Sequence, residues 1–514
     1  MNAAPSTPWL DRLLAGLFAL ALVLPALFLK PDLEAAAGEK RTLAPAPSLP
    51  RDAKALAAFP EAFDAWFADH FGFRSSLIKA HARFSFFALH TSPSPKVFRG
   101  KERWLFYNGQ AARDGDTLAD FRGVPPLTTT ELERWRWAFQ DQHDWLTAHG
   151  IQHLIALIPA KETIYPDFMP DRYTRHGPPA IEQVAAYLRA KTDIPLVDTT
   201  PALRAARERV LAYHPNDTHW NAFGAYIGYR TIMDGVARIF PACVPRPEED
   251  FVREELVGLG GDLAQMINLG DRLTQHYVFM NPRFATNAVF TWLADDEMAD
   301  LITDTGLTNL PRVAILRDSF TEAMRGYLAE HFHRAHFQWA RTGFDGSLLQ
   351  RVDPQLVIQI IADRAFRKGR RYPVAMHHES IARRFARADA APRDPPVWEP
   401  VEGTTRDGAT LAHASAPPTL LTPAPADQET VLVIQQWTVV SDRPRDLIAT
   451  WTSAVPDDRG NTERRAPPFP LTAGTNTVYL SLVDPDIQGP VRLQWGRHPG
   501  TVNILDVQAR GIPR

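Results

Sequence analysis

The chain has 514 residues, 22% of them charged and 45% hydrophobic, enough for a large core and for two to four domains. A net charge of −3, a pI near 6.6 and the absence of long basic runs speak against a nucleic-acid partner. One cysteine, Cys243, excludes an intrachain disulfide framework and a multi-thiolate metal site.

In chain order, Leu13–Leu29 is an uncharged apolar run broken only by Pro25 and preceded by Arg12. Its length sits at the lower edge of a membrane span and above an ordinary signal-peptide core, so residues 1–30 read as a signal-anchor or a signal peptide. Ala35-Ala36-Ala37 offers a cleavage site, and an exported protein follows from either reading. Residues 31–58 read as a linker. Phe59–Phe87 is expected to be helical, with a core-facing aromatic stripe (Phe63, Trp66, Phe67, Phe71) and a turn at Gly72-Phe73-Arg74. Val97–Tyr107 reads as a hairpin.

From there, strand-like and helix-like segments alternate. Thr129–His149, Ile181–Lys191, Ala222–Ile239 and Phe320–His331 carry helical patterns. His153–Ile158, Ile194–Val197, Arg312–Leu316 and Leu356–Ile361 are short apolar runs suited to parallel strands buried on both faces. The alternation predicts an α/β fold, a doubly wound sheet with its site at the strand carboxyl ends, spanning residues 59–380. Residues 381–425 are rich in Ala and Pro and read as a linker. Residues 426–514 hold several short strand patterns separated by turn signals, which predicts a small β-sandwich.

The chemistry concentrates at Asp217-Thr218-His219-Trp220-Asn221, an acid and an imidazole two residues apart. Such a pair suits a general base and its orienting carboxylate. Ser319 supplies the nucleophile in this reading: it lies at a predicted strand-to-helix turn, where the first N–H groups of the helix can bind a developing oxyanion. Taken singly, Ser319 and Asp217 are ordinary helix caps. Metal chemistry is the first rival, through His331, His333 and His336, His377 and His378, or Asp217 with His219. No metal-site spacing such as His-Glu-x-x-His joins them, and no metal is expected.

Asp217-Thr218-His219-Trp220-Asn221 with Gly224, followed by Asp318-Ser319-Phe320, resembles the SGNH-like domain of the alginate O-acetyltransferase family. Further stretches match: Asp69–Arg74, Gly100–Phe106, Pro159–Pro166, Gly261-Asp262-Leu263, and Pro354–Ile358 with Asp363-Arg364. The resemblance runs from about Phe59 to Arg367. It implies a rearranged triad, with Asp217 and His219 preceding Ser319. It also implies a periplasmic enzyme that takes an acetyl group onto serine and passes it to a hydroxyl of an exported polysaccharide. No bound cofactor is implied; a membrane-bound O-acyltransferase would supply the acetyl group from acetyl-CoA, alongside other polysaccharide-export proteins.

Arg317 stands where the hydrolase motif has glycine. Asn268, Asn281 and Gly343 are the candidates for completing an oxyanion hole. The C-terminal segment looks like a jelly-roll carbohydrate-binding module, in which Trp437, Trp451 and Trp495 could stack on sugar rings or serve as core. Two other functions stay open: a carbohydrate acetyl esterase with water as acceptor, and a non-catalytic glycan-binding assembly factor.

Overall fold

The computed structural model describes residues 8–512 apart from 32–41, 113–114, 295–298, 340–351, 367–377, 387–390, 395–397, 402–403, 409, 414–418, 423–431, 454–461, 466–468, 483–486 and 497–498. It divides into two units, one of residues 1–94 and 264–273 and the other of 95–263 and 274–514.

In the first unit the apolar run forms the helix Pro8–Leu27, with Asp11 in its first turn and Pro25 inside it. Among the described residues no helix is long and apolar enough to cross a membrane, so the anchor reading finds no support here. The run of apolar residues is shorter than the roughly 20 that a bilayer core requires. Helix Ala53–His70 starts inside the expected linker, because Asp52 caps it by accepting from the Ala55 N–H at 2.7 Å. The chain turns at Phe73, in the left-handed region, and resumes as helix Arg74–Arg83. The aromatic stripe stacks on itself, with Phe63 and Phe67 ring centroids 5.8 Å apart, and stays partly exposed instead of entering a core.

The second unit is built on a seven-stranded sheet in the order Leu196–Asp198, Gln152–Ile158, Leu356–Ala362, Arg312–Arg317, Arg334–Trp339, Leu301–Asp304, Val289–Trp292. The first five strands are parallel, four of them as expected from their apolar runs and Arg334–Trp339 unforeseen; the last two join antiparallel. Helix Thr129–Ala148 begins at a capping box in which the Thr128 hydroxyl takes the Glu131 N–H and Glu131 reaches back to the Thr128 N–H. Helix Ala222–Ala237 is capped by Asn221, whose side chain accepts from the Gly224 N–H at 3.0 Å. Gly224 is required: a Cβ there would stand 2.0 Å from the Ala212 carbonyl oxygen.

Two differences from expectation bear on the site. The helix expected over Phe320–His331 is a 3₁₀ turn, Ser319–Ala323, followed by a short helix, Arg325–Ala329. Residues 381–425 are not simply a linker. Ala391–Arg393, Glu399–Pro400, Thr405–Asp407, Thr410–His413 and Thr419–Thr422 are strands paired into two six-stranded antiparallel sheets. Pro392 and Pro400 fall on strands that each pair with a single neighbour, where a missing N–H need cost no ladder bond. The two sheets share one core, so the sandwich begins about 35 residues earlier than the composition suggests.

Candidate active site

Ser319 follows strand Arg312–Arg317 directly, at the carboxyl end of the parallel sheet. Asp318 sets its position. It is buried, and its two carboxylate oxygens accept from the Phe320 N–H at 3.0 Å and the Ala362 N–H at 3.1 Å, which ties the turn to the neighbouring strand. Burial raises the Asp318 carboxyl pKa, partly offset by the charge of Arg364. Arg317 is sealed beneath the turn; it pairs with Glu322, donates to the Ala299 carbonyl at 2.8 Å and faces the Trp339 ring. The arginine that replaces the hydrolase glycine therefore braces the turn through Glu322.

The Asp-His loop meets Ser319 from the opposite side. His219 Nε2 lies 2.8 Å from Ser319 Oγ, and His219 Nδ1 lies 2.8 Å from Asp217 Oδ1. Asp217 also takes the His219 N–H at 3.0 Å and, through Oδ2, the Asp262 N–H at 2.9 Å. Burial pushes the Asp217 carboxyl up, but the His219 hydrogen bond and charge, with these N–H groups, outweigh it and hold it well below the usual range. With Nδ1–H directed at Asp217, Nε2 is left to accept the serine proton. Trp220 closes the back of the site by donating its indole N–H to the Phe320 carbonyl at 2.9 Å.

Three residues matter more than their sequence context suggested. Asp262 accepts from the Thr218 N–H at 2.7 Å and from the Thr218 hydroxyl, and stands 3.8 Å from His219 Nδ1. Burial and the neighbouring Asp217 raise its pKa. Arg364 Nη2 lies 3.4 Å from Ser319 Oγ. Lys161 is buried beneath the loop that carries Asp217. Each fell within a family-like stretch of sequence, yet none has a spacing that marks a function.

Beside the serine lies a pocket of about 410 Å³ open to solvent, lined in part by Tyr107, Lys161, Glu162, Phe320, Asp363 and Arg364. Burial pushes the Glu162 carboxyl up to about 7, opposed by its own N–H, Lys161 and Arg364. The folded protein thus holds a proton on Glu162 that the unfolded chain releases near pH 4.5, so this group's contribution to stability falls as pH rises from 4.5 to 7. Glu162→Gln is expected to leave stability at about pH 4 nearly unchanged and to raise it at about pH 8 by up to about 3 kcal/mol, measured by urea unfolding at both pH values.

The other expectations sort themselves spatially. Asp217, His219 and Ser319 come together. The N–H groups of Phe320 and Thr321 are taken by Asp318, so the first turn does not offer them to an oxyanion. Asn281 donates to Glu254 on the hairpin Phe251–Leu259/Thr274–Pro282, Asn268 belongs to the first unit, and Gly343 lies outside the described residues. His331 is buried against the Tyr229 hydroxyl at 2.6 Å and His336 pairs with Asp300, while His377 lies outside the described residues.

Among the described residues, one group of three could hold a metal ion: Asp217, His219 and Asp262, with ligand atoms within 4.8 Å of one another. Their atoms are already engaged with each other and with Thr218, an arrangement that orients an imidazole. Trp437, Trp451 and Trp495 are 0%, 8% and 0% exposed in the core between the two sheets. Sugar stacking on them is corrected: apolar neighbours from both sheets cover the rings.

Two curated relatives, each named a probable alginate O-acetylase AlgJ, are similar over part of the chain. That of Pseudomonas syringae pv. tomato is 25% identical over 36% of this chain, and that of Pseudomonas putida 24% over 30%. The chain spans 44% and 37% of those relatives' lengths. Among solved structures, Bacillus cereus PatB1 overlaps 53% of this chain and 97% of its own at 16% identity and a TM-score of 0.41. The O-acetyltransferase domain of Pseudomonas putida AlgJ overlaps 53% and 92% at 16% identity and 0.36. The family model described as "SGNH hydrolase-like domain, acetyltransferase AlgX" matches residues 97–354, half of the sequence and both halves of the site. The chain belongs to the AlgX family of SGNH hydrolase-like acetyltransferase domains.

Proposed function

We propose that this protein is a polysaccharide O-acetyltransferase that works through an acetyl-Ser319 intermediate, with His219 as general base and acid and Asp217 as its orienting carboxylate. The observation that carries the reading is the unbroken hydrogen-bonded series from Ser319 Oγ through His219 to Asp217, 2.8 Å at each step. Asp217 and His219 precede Ser319 in sequence, and the triad is defined by geometry.

In the first half-reaction Ser319 Oγ attacks the acetyl carbonyl while His219 Nε2 takes its proton. The tetrahedral intermediate collapses and His219 returns that proton to the leaving group. In the second, His219 deprotonates a sugar hydroxyl whose oxygen attacks the acyl-serine. Collapse leaves the acetyl ester on the sugar and returns a proton to Ser319. No metal or cofactor takes part. The acetyl donor is delivered by a membrane-bound acyltransferase that draws on acetyl-CoA, and the setting is the periplasm. The sandwich Ala391–Ile512 holds the glycan in the manner of a jelly-roll carbohydrate-binding module. Its two-sheet architecture supports this, with the buried tryptophans left out of the contact surface.

The test follows an isotopically labelled acetyl ester incubated with the protein, with and without acidic oligosaccharide. Label is expected on the sugar, read by mass spectrometry, and acetate release is expected to fall as sugar is added. Release of acetate alone, undiminished by sugar, would make the enzyme an esterase; glycan binding with no turnover would make it a binding protein.

A further inference from the structure

An ammonium group sealed from water is costly unless every N–H finds an acceptor. Lys161 is 2% exposed, and its Nζ donates to the carbonyl oxygens of His214 at 3.1 Å, Pro215 at 3.0 Å and Asp217 at 2.7 Å. An ammonium has three donors, and here all three end within four residues of one loop. The last of these acceptors belongs to the residue whose carboxylate holds His219. The Trp104 and Phe106 rings face the ammonium at 5.8 and 5.1 Å. The charged groups that act on it are the carboxylates of Asp262, Asp217 and Glu162.

Burial lowers the Lys161 pKa to about 8, partly offset by those three carboxylates, so the group stays charged at neutral pH. The loop has further anchors besides the lysine. The Leu105 N–H donates to the Pro215 carbonyl at 2.9 Å, and Asn216 is fixed to Gln275 and to the Thr274 carbonyl. A methionine would fill the same volume without a buried charge. The charged head has its use in where it pulls the backbone.

We propose that Lys161 is a positioning residue: its ammonium draws the His214–Asp217 backbone onto one point and so sets the Asp217 carboxylate against His219. The proposal rests on the catalytic reading above and names the element that keeps its base oriented. Removing the ammonium has two separable consequences for His219. Loss of a nearby positive charge alone leaves the Nδ1–H bond to Asp217 in place, whereas retreat of the Asp217 carboxylate lengthens it.

The experiment is an NMR measurement of the His219 Nδ1–H proton in the full chain with ring-labelled histidine, the signal identified by its loss in His219→Gln. In Lys161→Met that downfield signal is expected to move upfield as the hydrogen bond to Asp217 lengthens. Ser319 acylation by an aryl acetate is expected to slow roughly 10²-fold with KM little changed, as for a misplacement of about 1 Å. Lys161→Gln, which keeps two donors, is expected to lie between wild type and Lys161→Met on both readouts, and carries the test if the methionine variant fails to fold. A His219 Nδ1–H signal that stays fixed or moves downfield overturns the proposal. The measurement needs no turnover. A failed catalytic reading would instead show as unchanged acetyl transfer in Ser319→Ala, so the two failures are distinguishable.

Discussion

Replacing Ser319 with alanine is expected to lower acetyl transfer by at least about 10³-fold, with the protein still folded and still able to bind glycan. The magnitude follows from what the hydroxyl does. Its Oγ stands 2.8 Å from His219 Nε2, and without it the imidazole loses the nucleophile it is proposed to activate. The fold should tolerate the change, because Ser319 contributes its hydroxyl to the site while Asp318 makes the turn's backbone contacts. The measurement is transfer of labelled acetyl to oligosaccharide, with intact-mass detection of the acyl-enzyme. Wild type should show a transient adduct on Ser319, and the alanine variant none. Residual turnover within tenfold of wild type would remove serine from the mechanism.

Trp495→Ala should cost about 3–5 kcal/mol of sandwich stability, the usual penalty for emptying a core tryptophan site. Trp437→Ala should behave alike, since both rings are fully covered by residues from the two sheets. Trp437 also loses its donor bond to Gln435 at 3.1 Å. Urea unfolding followed by circular dichroism measures the cost directly. Weakened glycan binding at full stability would instead return these rings to a sugar-stacking role.

These expectations show where sequence reading succeeded and where it stopped. Strands Gln152–Ile158, Arg312–Arg317 and Leu356–Ala362 were legible because burial on both faces demands an unbroken apolar run. Val289–Trp292, exposed along its length at the sheet edge, leaves no such mark. Arg334–Trp339 was hidden by its arginine, histidine and glutamine. The segment after Ser319 kept a helical pattern, yet Asp318 captured its first N–H groups and turned the chain into a 3₁₀ start.

Asp217 and His219 were legible because their partnership is local, two residues apart. Lys161 was not, because its partners are backbone carbonyls, which any residue could supply. The tryptophans of the sandwich were visible as aromatics, but the sequence carries no sign of which face of a strand meets the other sheet.

The split of the site between segments a hundred residues apart has a consequence for how activity is gained during folding. The proposed base arrives on the loop before Ala222–Ala237, the proposed nucleophile on the turn after Arg312–Arg317, and the partner of the Asp318 anchor on Leu356–Ala362. The contacts that close the constellation span 100 residues from His219 to Ser319 and 44 from Asp318 to Ala362, so they are non-local. Onset of acylation after dilution from denaturant would therefore time the final closure of the sheet, making the enzyme's own chemistry a clock for its last folding step.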